Sequence, residues 1–218
     1  MHFDFGALPA QTVYNVLTST VTPRPIAWLT TVSGKGVVNA APFSFFNVMG
    51  HQPPTVAIGL MRHASGELKD SGANIIENGE FVVNLVPESL VAQMNQTCAD
   101  YPADVDEMTA AGLTALPASH VRPPLIKGSP VSLECVSQAT IVTGPRQLVV
   151  IGRVLGAHVD DAYVLDAERG YMDTPAMGLI ARMHGGEVDA ASDARGTVVG
   201  ITLRGPDSQA GAAHITKT

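Results

Sequence analysis

Two long β-branched runs held apart by a single short turn constrain this chain more than any other feature. Val131 to Val142 (VSLECVSQATIV) and Gln147 to Val159 (QLVVIGRVLGAHV) flank Thr143-Gly144-Pro145-Arg146. A connection that short joins antiparallel neighbours, because a parallel crossover needs a dozen residues or more. A second hairpin is expected near the start: Ile26 to Val32 as a strand, Ser33-Gly34-Lys35-Gly36 as the turn, and Val37 to Ala41 as the returning strand. Thr55 to Leu60 and Phe81 to Val86 add two more runs bounded by Gly or Pro, which gives at least six strands.

Helical signals are fewer. Gly66 to Glu77 carries Leu68, Ile75 and Ile76 at helical spacing, and Glu88 to Thr97 follows Pro87. Mostly antiparallel strands with a few peripheral helices predict a mainly β fold, a closed or nearly closed small barrel that protects its sheet edges, and not a doubly wound α/β sheet. Asp100 to Pro124 has no sustained apolar period and reads as a long surface excursion that covers a pocket or another subunit. From Gly185 onward Gly, Ala, Asp and Ser dominate except at Val198 to Leu203, so residues 187–218 are expected to form a partly flexible extension of one domain spanning 1–186.

A net charge of −7 disfavours nonspecific attraction to nucleic acid or an anionic membrane, which needs a basic face, so an anionic ligand needs a local pocket. No apolar run is long enough to span a bilayer, and Asp4, Gly6 and Pro9 interrupt the region where a signal peptide needs an apolar core; a cytoplasmic location is the expectation. Cys98 and Cys135 form no CxxC pattern and are read as two buried, reduced thiols, with no metal site. Gly34-Lys35-Gly36 begins like a dinucleotide fingerprint, but Asn39 replaces the third glycine and a strand follows. The signatures GxxxxGK[ST], GxSxG and HExxH are absent.

A candidate ligand cradle lies in and after the first hairpin. Thr30 and Thr31 end its first strand and offer hydroxyls and amides, while Lys69-Asp70-Ser71 lies in the first turns of an expected helix, where an ammonium, a hydroxyl and free amides can hold a phosphate. Asn39, Ala41, Ser44, Phe45, Phe46 and Asn47 combine small residues, a carboxamide and apolar walls suited to a flat ring. Taken singly, Thr-Thr is ordinary β-propensity and the phenylalanines are ordinary core residues; the combination is what points to a phosphorylated ring cofactor.

These blocks, with PRPIAWLTT at 23–31, VNAAPFSFFN at 38–47, PPTVAIG at 53–59, LKDSGANI at 68–75, EFVVNLV at 80–86, the stretch from Met94 to Leu116 and PVSLEC at 130–135, resemble in order the flavin reductase-like, FMN-binding split-barrel family of the DIM6/NTAB type. The resemblance covers roughly Val13 to Gly186. It implies a homodimer of split barrels with FMN near the subunit interface. It also implies phosphate contacts at Thr30, Thr31, Lys69 and Ser71 beside Asp70, and ring contacts along Asn39, Ala41 and Ser44 to Asn47. Arg182-Met183-His184-Gly185-Gly186 resembles the late block on the nicotinamide side of the flavin, which makes His184 a candidate contact for the donor. Arg62, upstream of the lysine block, is expected to face solvent.

Chemistry at the flavin needs no side-chain nucleophile. The expected activity is that of an NAD(P)H-dependent FMN reductase, with NADH or NADPH as donor and a monooxygenase as a candidate partner. The alternative is an FMN-binding electron carrier or sensor without efficient nicotinamide turnover.

Overall fold

The computed structural model describes residues 1–183 and the backbone of 198–200 and 216–217. In chain order its main elements are helix α1 (Ala10–Thr20), strands β1 (Ala27–Val32), β2 (Val38–Phe43), β3 (Phe46–His51) and β4 (Pro54–Met61), and helix α2 (Asp70–Asn78). Strand β5 (Glu80–Asn84), helices α3 (Val91–Gln96) and α4 (Glu107–Ala110), and strands β6 (Val131–Gly144) and β7 (Gln147–Val159) complete them. The seven strands form one antiparallel sheet in the order β2-β1-β5-β6-β7-β4-β3.

Only Ser44 and Phe45 separate β2 from β3, yet these strands lie at opposite edges of the sheet. So short a link requires the sheet to curl until its edges meet. Accordingly β2 approaches β4, and the Gly59 amide donates to the Phe45 carbonyl at 2.7 Å. This is the split barrel expected from the sequence. Its interior is filled by Leu29, Val56, Ile58, Leu60, Phe81, Val83, Leu148 and Val150, with Ile75 of α2 added from one end.

Strand β1 is covered on both sides. Leu29 points into the barrel, while Trp28 points outward beneath Met94 and Met108 and donates from Nε1 to the Thr97 hydroxyl at 3.0 Å. Asn84 ties the same layer together: its Nδ2 donates to the Trp28 carbonyl, and its Oδ1 accepts from the Ile126 amide and the Ser132 hydroxyl. All four of these groups are buried, so the satisfied carboxamide fixes the spacing of three segments. A smaller sheet pairs Arg24–Pro25 with Ile180–Arg182, and Val198–Gly200 and Thr216–Lys217 continue it.

Several local expectations are corrected. α1 was not read from sequence, because Thr18, Ser19 and Thr20 mask its end; Tyr14 nevertheless packs edge-on to Phe45 with centroids 6.3 Å apart. A strand not expected from the sequence, β3, begins at Phe46, so Ser44 and Phe45 alone form the link after β2. α2 starts at Asp70, four residues later than expected, because Gly66 adopts φ +91° in a turn closed by an Arg62–Leu68 bridge. Arg62 is half-buried and donates to the Gly66 carbonyl at 3.0 Å. Cys98 is exposed, whereas Cys135 is buried and its thiol is pushed up to about 12 by burial and by Glu134.

Candidate functional site

A cavity of about 410 Å³ opens between the end of the first hairpin, the start of α2 and the beginning of the excursion. That is within the range of small-molecule sites. Asn39 and Ala41 reach it from β2, and Lys69, Asp70 and Ser71 reach it from the start of α2. Thr97 to Tyr101, Ala103 and Glu107 cover it, and Arg182 closes one side. Asp100, Tyr101, Ala103 and Glu107 belong to the excursion expected to cover a pocket or another subunit, and they line this pocket together with Thr97 to Ala99 just before it.

The α2 end of the cavity is chemically suited to an anion. Lys69 holds the N-cap position, where its side chain has no acceptor to offer the first amides, and no side chain caps this nine-residue helix. The Lys69 ammonium is partly exposed and sits 3.1 Å from Asp100. Asn39 Nδ2 donates to the Ser71 hydroxyl at 2.8 Å, so two residues 32 positions apart are locked into one polar wall.

The remaining predicted residues fall elsewhere. Thr30 and Thr31 are fully buried and do not line the cavity: the Thr30 hydroxyl donates to the Pro124 carbonyl, and the Thr31 hydroxyl accepts from Asn74 Nδ2 at 3.0 Å. Their side chains brace the cavity's supports. Phe45 packs against Gly59 and Tyr14, Phe46 packs on the barrel core, and Asn47 is exposed with its Oδ1 bound to the Val48 amide. Ser44 is half-buried in the link between β2 and β3. His184 and the 186/187 boundary lie outside the described residues.

Two carboxylates that the sequence did not single out are the most perturbed acids of the site and its cover. Glu107, buried in the cavity wall, accepts from the Ala40 amide through Oε2 at 2.7 Å. Burial dominates and pushes its pKa up to about 7, the amide opposes this, and Asp70, Asp106 and Asp100 add to the rise. Glu134, on β6, is fully buried and accepts from the amides of Ser119, His120 and Val121 and from His158 Nε2. Burial would raise its pKa, but His158 and the three amides hold it below the usual carboxylate range. Glu134 thereby pins the far half of the excursion to the barrel.

Residues 19–175 match the model of the flavin reductase like domain. The chain belongs to this family. Membership implies a flavin ligand. A protein of Deinococcus radiodurans is 43% identical over 188 residues, covering 84% of this chain and 82% of its own. Among solved structures, nitrilotriacetate monooxygenase component B from Bacillus cereus is 34% identical with a TM-score of 0.80, covering 85% of this chain and 92% of that one. The 2-nitrobenzoate 2-nitroreductase NbaA of Pseudomonas fluorescens is 29% identical with a TM-score of 0.77, covering 85% and 89%. Among the described residues, no helix of this flavin reductase-like protein is long and apolar enough to cross a membrane.

Glu134 was legible only as part of the PVSLEC block, and Glu107 only as an acid in a segment without apolar period. Neither has a short motif, since their partners lie 13–24 and 67 residues away.

Proposed function

We propose that the protein is an NAD(P)H-dependent FMN reductase that binds the FMN phosphate at the uncapped start of α2. The observation that carries this reading is the convergence of Lys69, Ser71, Asn39 and free helix amides on one wall of the cavity. An ammonium, a hydroxyl, a carboxamide and a helix N-terminus are the donors a phosphate ester requires. The cavity volume and the family membership support a flavin, and FMN supplies the phosphate that these donors match.

FMN held by these residues would supply the hydride-accepting chemistry of the reaction. The chain's own residues bind, orient and exclude water. Lys69 and Ser71 hold the phosphate, Asn39 fixes the Ser71 hydroxyl, and residues 97–107 shield the ligand. Arg182 lines the cavity, and His184, which lies outside the described residues, is the proposed contact for the nicotinamide donor.

A homodimer accords with the exposed apolar side chains of Val48 and Met49 on edge strand β3, which a second copy would cover. The component B relative supports a monooxygenase as the recipient of reduced flavin. Anaerobic titration of the FMN-reconstituted protein with NADH and NADPH tests the reading. Bleaching of the flavin within seconds by either donor is the expected result. Tight FMN without bleaching would identify an electron carrier, and a visible spectrum without flavin bands after reconstitution would refute flavin binding.

A further inference from the structure

The cavity wall holds three acids, Asp70, Asp100 and Glu107, against the cations Lys69 and Arg182, with His63 also lining it. Asp70 and Lys69 stand at the start of α2, Asp100 lies on the covering segment, and Asp106 precedes Glu107 at the start of α4. Lys69 is already paired with Asp100. A phosphate dianion entering this wall therefore meets an unfavourable charge balance unless one acid gives up its charge. Asp100 is largely exposed and ion-paired, and Asp70 stands half-buried in the first turn of α2. Glu107 is the buried acid.

We propose that Glu107 is a ligand-binding residue that acts as a neutral carboxylic acid, holding the Ala40 amide with one oxygen and donating a hydrogen bond to the FMN phosphate from the other. This rests on the phosphate reading above. Oε2 is the acceptor of the amide, so the added proton belongs on Oε1. A neutral acid removes one of the three negative charges and supplies a donor in the same step. In the free protein burial already places its titration near neutrality, and an adjacent dianion raises it further. FMN binding is therefore accompanied by proton uptake whenever the free protein carries ionised Glu107.

The sign follows from linkage. Above pH 7 the free state loses the proton and the bound state keeps it, so FMN affinity falls as pH rises, by up to about tenfold per pH unit. The second ionisation of the phosphate itself, near 6, is complete by pH 7.5 and does not contribute.

The test is calorimetric titration of the full-length apoprotein with FMN and with riboflavin between pH 7.5 and 9, in buffers of different ionisation enthalpy. Wild type is expected to take up close to one proton per FMN at pH 8.5 and to weaken by several-fold from pH 7.5 to 8.5. Glu107→Gln, which keeps the shape and a donor, is expected to take up none and to bind FMN with an affinity flat across this range. Riboflavin should show neither effect in either protein. Proton uptake of the same size in Glu107→Gln, or none in wild type, overturns the role of Glu107 while FMN still binds better than riboflavin. Equal wild-type affinities for FMN and riboflavin overturn the phosphate reading itself, and the Glu107 proposal with it.

Discussion

Glu134→Ala removes the anchor of the excursion, and its cost can be worked from the bonds described. Val121 is buried, so its amide loses its acceptor with no water to replace it, at about 2 kcal/mol. Ser119 and His120 are exposed residues whose amides can be partly rehydrated, at roughly 0.5–1 kcal/mol each. Loss of the His158 contact, on a partly exposed ring, adds up to about 1 kcal/mol. The sum is about 4 kcal/mol, reduced somewhat because a buried charge disappears with the side chain. For a chain of this length that lowers Tm by about 10 °C.

Trp28, the single tryptophan, lies fully buried under the same layer and reports unfolding through its emission. Amide exchange at 118–122 should accelerate more than in the barrel, because the excursion is released before the sheet. Glu134→Gln should fall between the two, since one oxygen can still serve His120 and Val121 while its NH₂ faces the Ser119 amide. The pH dependence has a definite sign. With its native pKa held below the unfolded value, Glu134 stabilises the fold above the ordinary carboxylate range and loses that contribution as pH falls through the native pKa. The alanine variant should therefore lose less of its stability on acidification than wild type. A destabilisation under about 1 kcal/mol with unchanged exchange at 118–122 would refute the anchoring role.

Lys69→Ala should weaken FMN by roughly 10- to 100-fold and riboflavin far less, since a charge-assisted bond is at stake; fluorescence titration with both ligands checks this. Gly152→Ala would place a Cβ 2.4 Å from the tip of the buried Phe81 ring, so it should cost about 1–3 kcal/mol in urea denaturation. Because the Glu107 pKa is raised to about 7, its burden on stability grows as pH rises through the range between the unfolded value and 7. Glu107→Gln should thus melt above wild type at pH 8, with the gap closing at pH 5.

The strands were legible because their signals are local: β-branched runs ended by Gly or Pro mark β1, β4, β5, β6 and β7, and Gly144 marks the hairpin between the last two. β3 was hidden by Asn47, Gly50 and His51, which suit an exposed edge but break the apolar pattern. The start of α2 depended on the positive φ of Gly66, a choice that composition permits without requiring. Within the site, Asn39, Ala41 and Lys69 to Ser71 are brought together as the sequence suggested. The hydroxyls of Thr30 and Thr31 have other partners because Pro124 and Asn74, remote in sequence, reach them first. The same remoteness concealed Glu107 and Glu134: a carboxylate bound by backbone amides leaves no pattern of side chains to recognise.

The fixings at Asn84 and Glu134 divide the labour along the chain. Asn84 anchors Ile126 and Glu134 anchors residues 119–121, so both attachment points lie downstream of the stretch that covers the cavity. Thr97 and Glu107 tie the two ends of that stretch to Trp28 and Ala40, so residues 98–104 run between fixed points and can change in chemistry without loss of a buried polar junction. Such a division lets the cover of the cavity vary while the sheet that carries its wall stays as it is.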